Sequence, residues 1–525
     1  MRYIFTLAAA LFSAGLFAQP VTENFNIELM AQYTFTQELS DVWGYVDEEG
    51  NEYAIVGRQA GVSVINVTDT GNLFSVGEFN GNWTVWRDIK VWEDHAYVTC
   101  DACGNGLLII DLSPLPQSTS LPYTYYTGDT FQFQSAHNIY IDEHGVAYIT
   151  GANHSAGGAI FLDLTQDPMA PVELGKYDNN YLHDVVARGD TMWGSAVYIG
   201  EAQAIDVSDK ENPQLISSWK TPSAFTHNIW FSDDNNYVYT TDEVVDGSIG
   251  AYDVSDVMNP TEVDVWSPKE PEIIPHNTHF MDDFLITSHY TIGVSIVSVL
   301  RPNNMLEVGR YDTSPSYNGG TFNGCWGAYP WLPSGKLLAT DIETGLYVFK
   351  PAYLHGCYLE GEVYDVHTGD PIFFPTIEIL GDSVETEGDI TGDYALSMID
   401  SGMYSIKVSA DGYYDTIITG VVLKNGEVTI QDVGMSNWPT GVREASLEVA
   451  VTVFPNPAKD VVQVRATEAI ESIRVYDLSG HVVDLGAQVL RSNASQLDVS
   501  ALSAGIYMVE VRTTSGVKLE RLSIM

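Results

Sequence analysis

Positive charge is scarce in this chain. Its 525 residues carry 23 Lys and Arg against 70 Asp and Glu, a net charge of −47. Such a surface repels phosphate backbones and anionic membranes, which argues against nucleic acid as a partner and leaves cations, neutral sugars or basic proteins. The same acid excess keeps an exported protein soluble. Heptads and long Ala/Leu/Glu/Lys stretches are missing, so long helices are not expected. There is no G-x-S-x-G elbow, no H-E-x-x-H pair and no phosphate-cradling P-loop. The acidic stretches "DEEGNEY", "DEHG" and "SDDNN" lack EF-hand spacing and read as hairpin turns. No apolar run is long enough to span a bilayer. The longest, Ile4 to Phe17, follows Arg2 and precedes the small residue Ala18, so residues 1–18 read as a secretory signal peptide.

Aromatics and glycine are plentiful: 30 Tyr, 11 Trp and 45 Gly favour strands and turns over helices. The phrase "SAHNIYIDEHGVAYITG" (135–151) recurs in outline as "FTHNIWFSDDNNYVYTTD" (225–242). Extending the comparison gives seven matching slots: Trp43-Gly44, Arg87-Asp88, His137-Asn138, His183-Asp184, His227-Asn228, His276-Asn277 and Trp326-Gly327. A second phrase follows each slot, as in "GVSVINVTDT", "AQAIDVSDKENP" and "GAYDVSDVMNP", and a third, such as "VELGKYD" or "LEVGRYD", closes most units. Each unit holds about four short alternating runs, the pattern of one propeller blade. The closing phrase is absent after "GLYVFKP", but "ELMAQYTFT" at 28–36 can supply the outer strand of the last blade. That pairing would seal the ring and remove two exposed edges. The expected fold is all-β: a seven-bladed β-propeller followed by two small β-sandwich domains.

The phrases "GVSVINVTD", "AIDVSDKENPQ" and "GAYDVSDVMNP" resemble the LVIVD repeat, and their arrangement resembles the choice-of-anchor B family of exported bacterial proteins. The resemblance covers about residues 28–352 and implies a propeller without a defined activity. Residues 356–437, with "LEGEVYDVHTGDPIFFPTIEIL", resemble the carboxypeptidase regulatory-like domain, which implies a spacer sandwich. After a linker at 438–449, residues 450–525 resemble the type A C-terminal sorting domain of the type IX secretion system. The resemblance rests on Pro455-Asn456-Pro457, Tyr476-Asp477-Leu478-Ser479-Gly480, Gly505-Ile506-Tyr507 and the final run from Lys518 to Ile524. It implies export by the type IX machinery of a Bacteroidota-type bacterium, followed by attachment to surface lipopolysaccharide or release. This tail holds 7 Lys and Arg against 9 Asp and Glu from residue 445 onward, far closer to neutral than the rest.

Four cysteines in an exported chain point to disulfides. Of the three pairings, Cys100–Cys103 with Cys325–Cys357 is expected. The C-x-x-C ends a strand beside Asp101, so a structural bridge suits it better than redox chemistry. In an antiparallel hairpin the start of strand one lies beside the end of strand two. The slot residues therefore share one mouth of the ring with Cys100-Asp101, His154, Glu201, Asp242-Glu243, His289 and Asp341-Glu343. His137, His183, His227 and His276, from four consecutive blades, form the leading candidate metal site. Asp242, Asp341 and His289 are weaker members. Imidazole and carboxylate suit zinc, iron, copper or manganese, and carboxylate alone suits calcium. The competing reading is that each ring nitrogen bonds the neighbouring blade's backbone, so that histidine recurs for structural reasons. Two function classes follow: an exported module that binds a protein or glycan at this mouth, or a metal-dependent hydrolase or lyase.

Overall fold

A computed structural model describes residues 24–437, 450–477, 480–483, 485, 492–513 and 516–525. The signal segment 1–18, the linker 438–449 and Leu478-Ser479 of the tail motif lie outside the described residues. The chain forms two compact units that divide between Gly356 and Cys357.

The first unit contains seven four-stranded antiparallel sheets. Their first strands are Leu39–Val46, Ile89–Trp92, Asn138–Ile141, Val185–Arg188, Thr226–Phe231, Thr278–Met281 and Cys325–Tyr329. From the first sheet to the sixth, each first strand packs on that of the next sheet. Cys325–Tyr329 packs on the second strand of the sixth sheet and on Leu39–Val46, which closes a ring of blades. The seventh blade takes its fourth strand from the other end of the unit: Ile27–Tyr33 pairs antiparallel with Gly345–Pro351.

The repeated phrases have local causes. In blades two to five, the Asp that ends the third strand caps the following turn. Backbone N–H groups of Ser113, Thr165, Ser208 and Ser255 donate to Asp111, Asp163, Asp206 and Asp253 at 2.8–2.9 Å. The acidic hairpins work the same way. Asp142 accepts from the backbone of His144 and Val146, and the Tyr148 hydroxyl donates to its second oxygen at 2.9 Å. A bulge recurs between third and fourth strands, at Val64/Ile65, Phe161/Leu162, Ala204/Ile205, Ala251/Tyr252 and Ile296/Val297. It adds local twist, which a blade needs.

Two latches join neighbouring blades at the slot. A hydroxyl ending one blade's second strand donates to the carbonyl of the next slot's first residue: Thr99 to His137, Thr150 to His183, Thr241 to His276, Ser288 to Trp326 and Thr340 to Ser40. The slot's second residue accepts from the following blade. Ile89 N donates to Asp41, Ile139 N to Asp88 and Thr278 N to Asn228, at 2.9–3.0 Å. These latches correct the sequence reading in blade one, where the slot is Ser40-Asp41 and not Trp43-Gly44. Trp43 instead belongs to an aromatic plug on the ring's axis with Trp230, Trp331 and His279; Trp230 and Trp331 stack 5.5 Å apart.

The second unit is also all β. Two four-stranded sheets, built on Cys357–Asp365 and on Gly402–Ser409, enclose Leu359, Ile377, Leu396, Ile406 and Val408. The C-terminal part is one five-stranded sheet, in which the 16-residue strand Val461–Tyr476 pairs with three others. Within it, Asn456, between Pro455 and Pro457, donates to the Arg521 carbonyl and accepts from Ser523 N, which ties the motif to the last strand, Gly516–Ile524. That strand carries Lys518 and pairs with Gly505–Thr513, where the Tyr507 hydroxyl donates to Ser503 O.

Cys100 and Cys103 are joined by a disulfide. The expected Cys325–Cys357 bridge is not formed: both are free and buried. Cys325 opens the inner strand of blade seven and packs among Ile286, Val294 and Ala328, whereas Cys357 packs with Leu359 and Met398 in the core of the second unit. Each sulfur serves the apolar core of its own unit.

Candidate functional site

The latches fix the backbone at each slot and leave the first residue's side chain facing the axial mouth. Four of these are imidazoles in a continuous column. Ring centroids are 4.0 Å apart from His137 to His183, 4.1 Å from His183 to His227 and 4.7 Å from His227 to His276. Trp326 extends the column, 4.8 Å beyond His276. The column floors an open cavity of about 470 Å³ walled by Trp86, Glu243, Tyr290, Phe322, Asn323 and Glu343. A smaller void of about 20 Å³ also lies against the column and touches Asp88, Asp184, Asn138 and Asn277. Arg87 lines this void, but its guanidinium is committed to the carbonyls of Arg58, Thr84 and Asn82.

The structural reading of these histidines accounts for one of the four. His276 Nδ1 donates to the Trp326 carbonyl at 2.6 Å, a bond to the next blade's backbone. His137 Nδ1 donates to Asp101 Oδ2 at 3.0 Å, and His183 Nδ1 to Asp184 Oδ1 at 2.9 Å. A carboxylate or carbonyl can only accept, so all three rings carry a proton on Nδ1, and Nε2 is the lone-pair atom whenever the ring is neutral. That is how ligating histidines are held: the far nitrogen donates to an outer partner, which fixes tautomer and orientation. His227 differs. Its Nδ1 is buried with no partner among the described residues, and its Nε2 is 3.4 Å from Glu243 Oε2.

Electrostatics push His137 toward the charged form and the other three rings toward the neutral one. Burial alone would push His137 down, but its bond to Asp101 and the charges of Asp184 and Asp101 outweigh it and raise its pKa. Asp101 is lowered by the same bond. Burial, reinforced by the charge on His137, lowers His183. Burial and flanking imidazoles hold His227 well below the ordinary histidine range. Burial brings His276 down to about 4. Glu243 moves the other way: burial lifts it to about 7 even though the Tyr290 hydroxyl donates to it at 2.5 Å. Buried Asp184 stays ionised, because the bond from His183 and the nearby imidazoles outweigh desolvation.

The weaker sequence candidates are not brought to the column. Asp242 accepts from the Thr221 hydroxyl and from Ser223 N and Phe225 N, which caps the loop before its own inner strand. Asp341 accepts from the Thr313 hydroxyl and from Glu343 N and Thr344 N. His289 is fully buried against Trp266, away from the cavity. His154 bonds the Gln132 carbonyl, and Glu201 pairs with Lys220. The next residue after Asp242, Glu243, is the acid that reaches the imidazoles. Glu38, Phe322 and Asn323 also line the mouth. They sit outside the repeated phrases, so no sequence signal marks them.

Comparison with known families matches two stretches. Residues 452–525 match the secretion system C-terminal sorting domain, and residues 86–122 match the LVIVD repeat. The second match spans most of blade two, including Arg87-Asp88 and the Cys100–Cys103 bridge. No curated protein matches the chain. The sorting domain marks the protein as cargo of the type IX secretion system, delivered to the cell surface or beyond. Among the described residues no helix is long and apolar enough to cross a membrane.

Proposed function

We propose that this exported protein is a ligand-binding ring whose histidine column holds a divalent metal ion and presents it to a partner entering the mouth. The observation that carries this reading is the pinning of three Nδ1 atoms, which leaves Nε2 as the ligand atom of each neutral ring beside an open cavity. Imidazole with carboxylate suits zinc, and also copper, iron or manganese. His183, His227 and His276 are disposed to stay neutral near pH 7, the form a ligand needs. The sandwich at 356–437 serves as a spacer in this reading, and the tail as the export address, with lipopolysaccharide as its anchor. The choice-of-anchor B resemblance agrees with a surface role.

Zinc titrated into the chelator-stripped full chain is expected to raise the melting midpoint of the ring. Free ion at a hundred times its Kd stabilises by about 2.7 kcal/mol. The combined variant His183→Ala and His276→Ala should abolish the rise. An unchanged midpoint at millimolar zinc, with no metal retained by elemental analysis, would refute the metal.

One observation favours a second reading, metal-dependent hydrolysis. Glu243, at about 7, stands at the cavity where it can accept or donate a proton at neutral pH. A bound ion would supply Lewis acidity. Cleavage of activated esters by the zinc-loaded protein, lost in Glu243→Gln with zinc retained, would support it; zinc-loaded protein without turnover leaves the binding role.

A further inference from the structure

The four imidazoles form a column rather than a cup, and this limits what one ion can reach. A zinc-class ion sits about 2.0–2.2 Å from each ligand, so its donors lie within roughly 4.4 Å of one another. Neighbours in the column are spaced at 4.0–4.7 Å between centroids, but its two ends are three such steps apart. The donor atoms instead fall into two sets, His137 with His183 and Asp184, and His227 with His276 and Glu243. Within each set they lie inside 4.8 Å. Each set has two imidazoles and its own carboxylate, and the sets adjoin where His183 meets His227. Their carboxylates also face different spaces. Asp184 borders the smaller void, which has room for about one water-sized body, and Glu243 borders the larger cavity.

We propose that the mouth holds two divalent ions side by side, one on His137 and His183, with Asp184 as the outer partner that orients His183, the other on His227, His276 and Glu243, and that the pair grips an oxyanion from the cavity. The inference rests on the metal reading above and adds a count and a ligand class. Glu38, Glu243 and Glu343 make the mouth acidic and, without metal, unfit for an anion. Two doubly charged ions reverse that local sign, and a paired site clamps the oxygens of a phosphate-like group between its centres.

The test uses the full chain loaded with copper(II), desalted, and compared with stripped protein. Elemental analysis should give two ions per chain, and electron paramagnetic resonance should show the half-field signal of two coupled ions. Inorganic phosphate at millimolar concentration should change that spectrum, and stripped protein should not bind it. Glu243→Gln and His137→Ala should each reduce the count to one and abolish the half-field signal, with circular dichroism confirming the fold. One ion per chain in the parent protein, or two without coupling, overturns the pair and leaves the metal reading standing. No retained ion overturns both. Two coupled ions with a spectrum indifferent to phosphate overturn the ligand class, and a coupled pair that survives Glu243→Gln overturns the assignment of residues.

Discussion

Taking the metal-free protein from pH 7 to pH 5 is expected to remove about 4 kcal/mol or more from the stability of the ring. Burial is the first cause in five lowered histidines: His183, His227, His276 at about 4, and His279 and His289 at about 3. A base with a lowered folded pKa contributes stability that is present above its unfolded pKa, near 6.5, and is lost as pH falls toward the folded value. At pH 5 the last three are still neutral when folded but protonated when unfolded, at about 2 kcal/mol each. Glu243 opposes them. Its raised value makes the folded state the better proton binder between about 7 and 4.5, returning about 2 kcal/mol over the same interval. Asp41 and His137, also raised, oppose as well, whereas His183 and His227 add to the loss. Urea midpoints at pH 7, 6 and 5 with chelator present measure the sum. His289→Phe isolates one contribution, since neither ring nitrogen of His289 has a partner among the described residues. The variant should recover about 2 kcal/mol of the acid loss. Equal midpoints across this range, or an acid loss undiminished in His289→Phe, would show that these rings are not held neutral by the fold.

The repeat was legible because each blade solves the same problem with the same side chains. The Asp that ends a third strand caps a turn, and the Asn or Asp of the slot latches the next blade, so both recur at blade spacing. The histidine column was legible for the same reason. What escaped was whatever the period does not control. In blade one the register breaks between Leu39 and Val42, which displaces the slot by three residues and lets Trp43 pass for it. At the end of second strands, Asp242 and Glu243 read alike. Only the fold shows that the first closes a loop and the second turns to His227. Asp184 reads as a slot residue, and its place between His183 and the smaller void depends on the ring's closure. Cys325–Cys357 is the bridge expected beside Cys100–Cys103 in an exported chain, but a buried thiol is also an ordinary core residue.

Lys90→Met should destabilise the ring by about 3–5 kcal/mol, the usual result of removing one partner from a buried ion pair. Lys90 is the single cation among two buried acids near the axis. Its Nζ lies 2.9 Å from Asp88 Oδ1 and 3.9 Å from Asp41 Oδ2, donates to the Ile89 carbonyl and sits 4.3 Å from the centroid of the Trp43 ring. Both acids are inter-blade latches, Asp41 accepting from Ile89 N and Asp88 from Ile139 N, so the lysine neutralises the joints between blades one, two and three. Burial, and then the charge of Asp88, push the Asp41 pKa well above the ordinary carboxylate value, and Lys90 with the Ile89 N–H offsets only part of that rise. Without the ammonium, two carboxylates face each other unpaired in a desolvated site. Charge rather than lost packing is then the cause, which gives a second readout. Asp41→Asn added to Lys90→Met should restore part of the loss, because the amide removes one charge and its oxygen still accepts from Ile89 N. The measurement is the urea midpoint of the ring transition for both variants at pH 7. A Lys90→Met ring within 1 kcal/mol of the parent, or a double variant weaker than the single, would mean that the axial acids carry no charge for the lysine to neutralise.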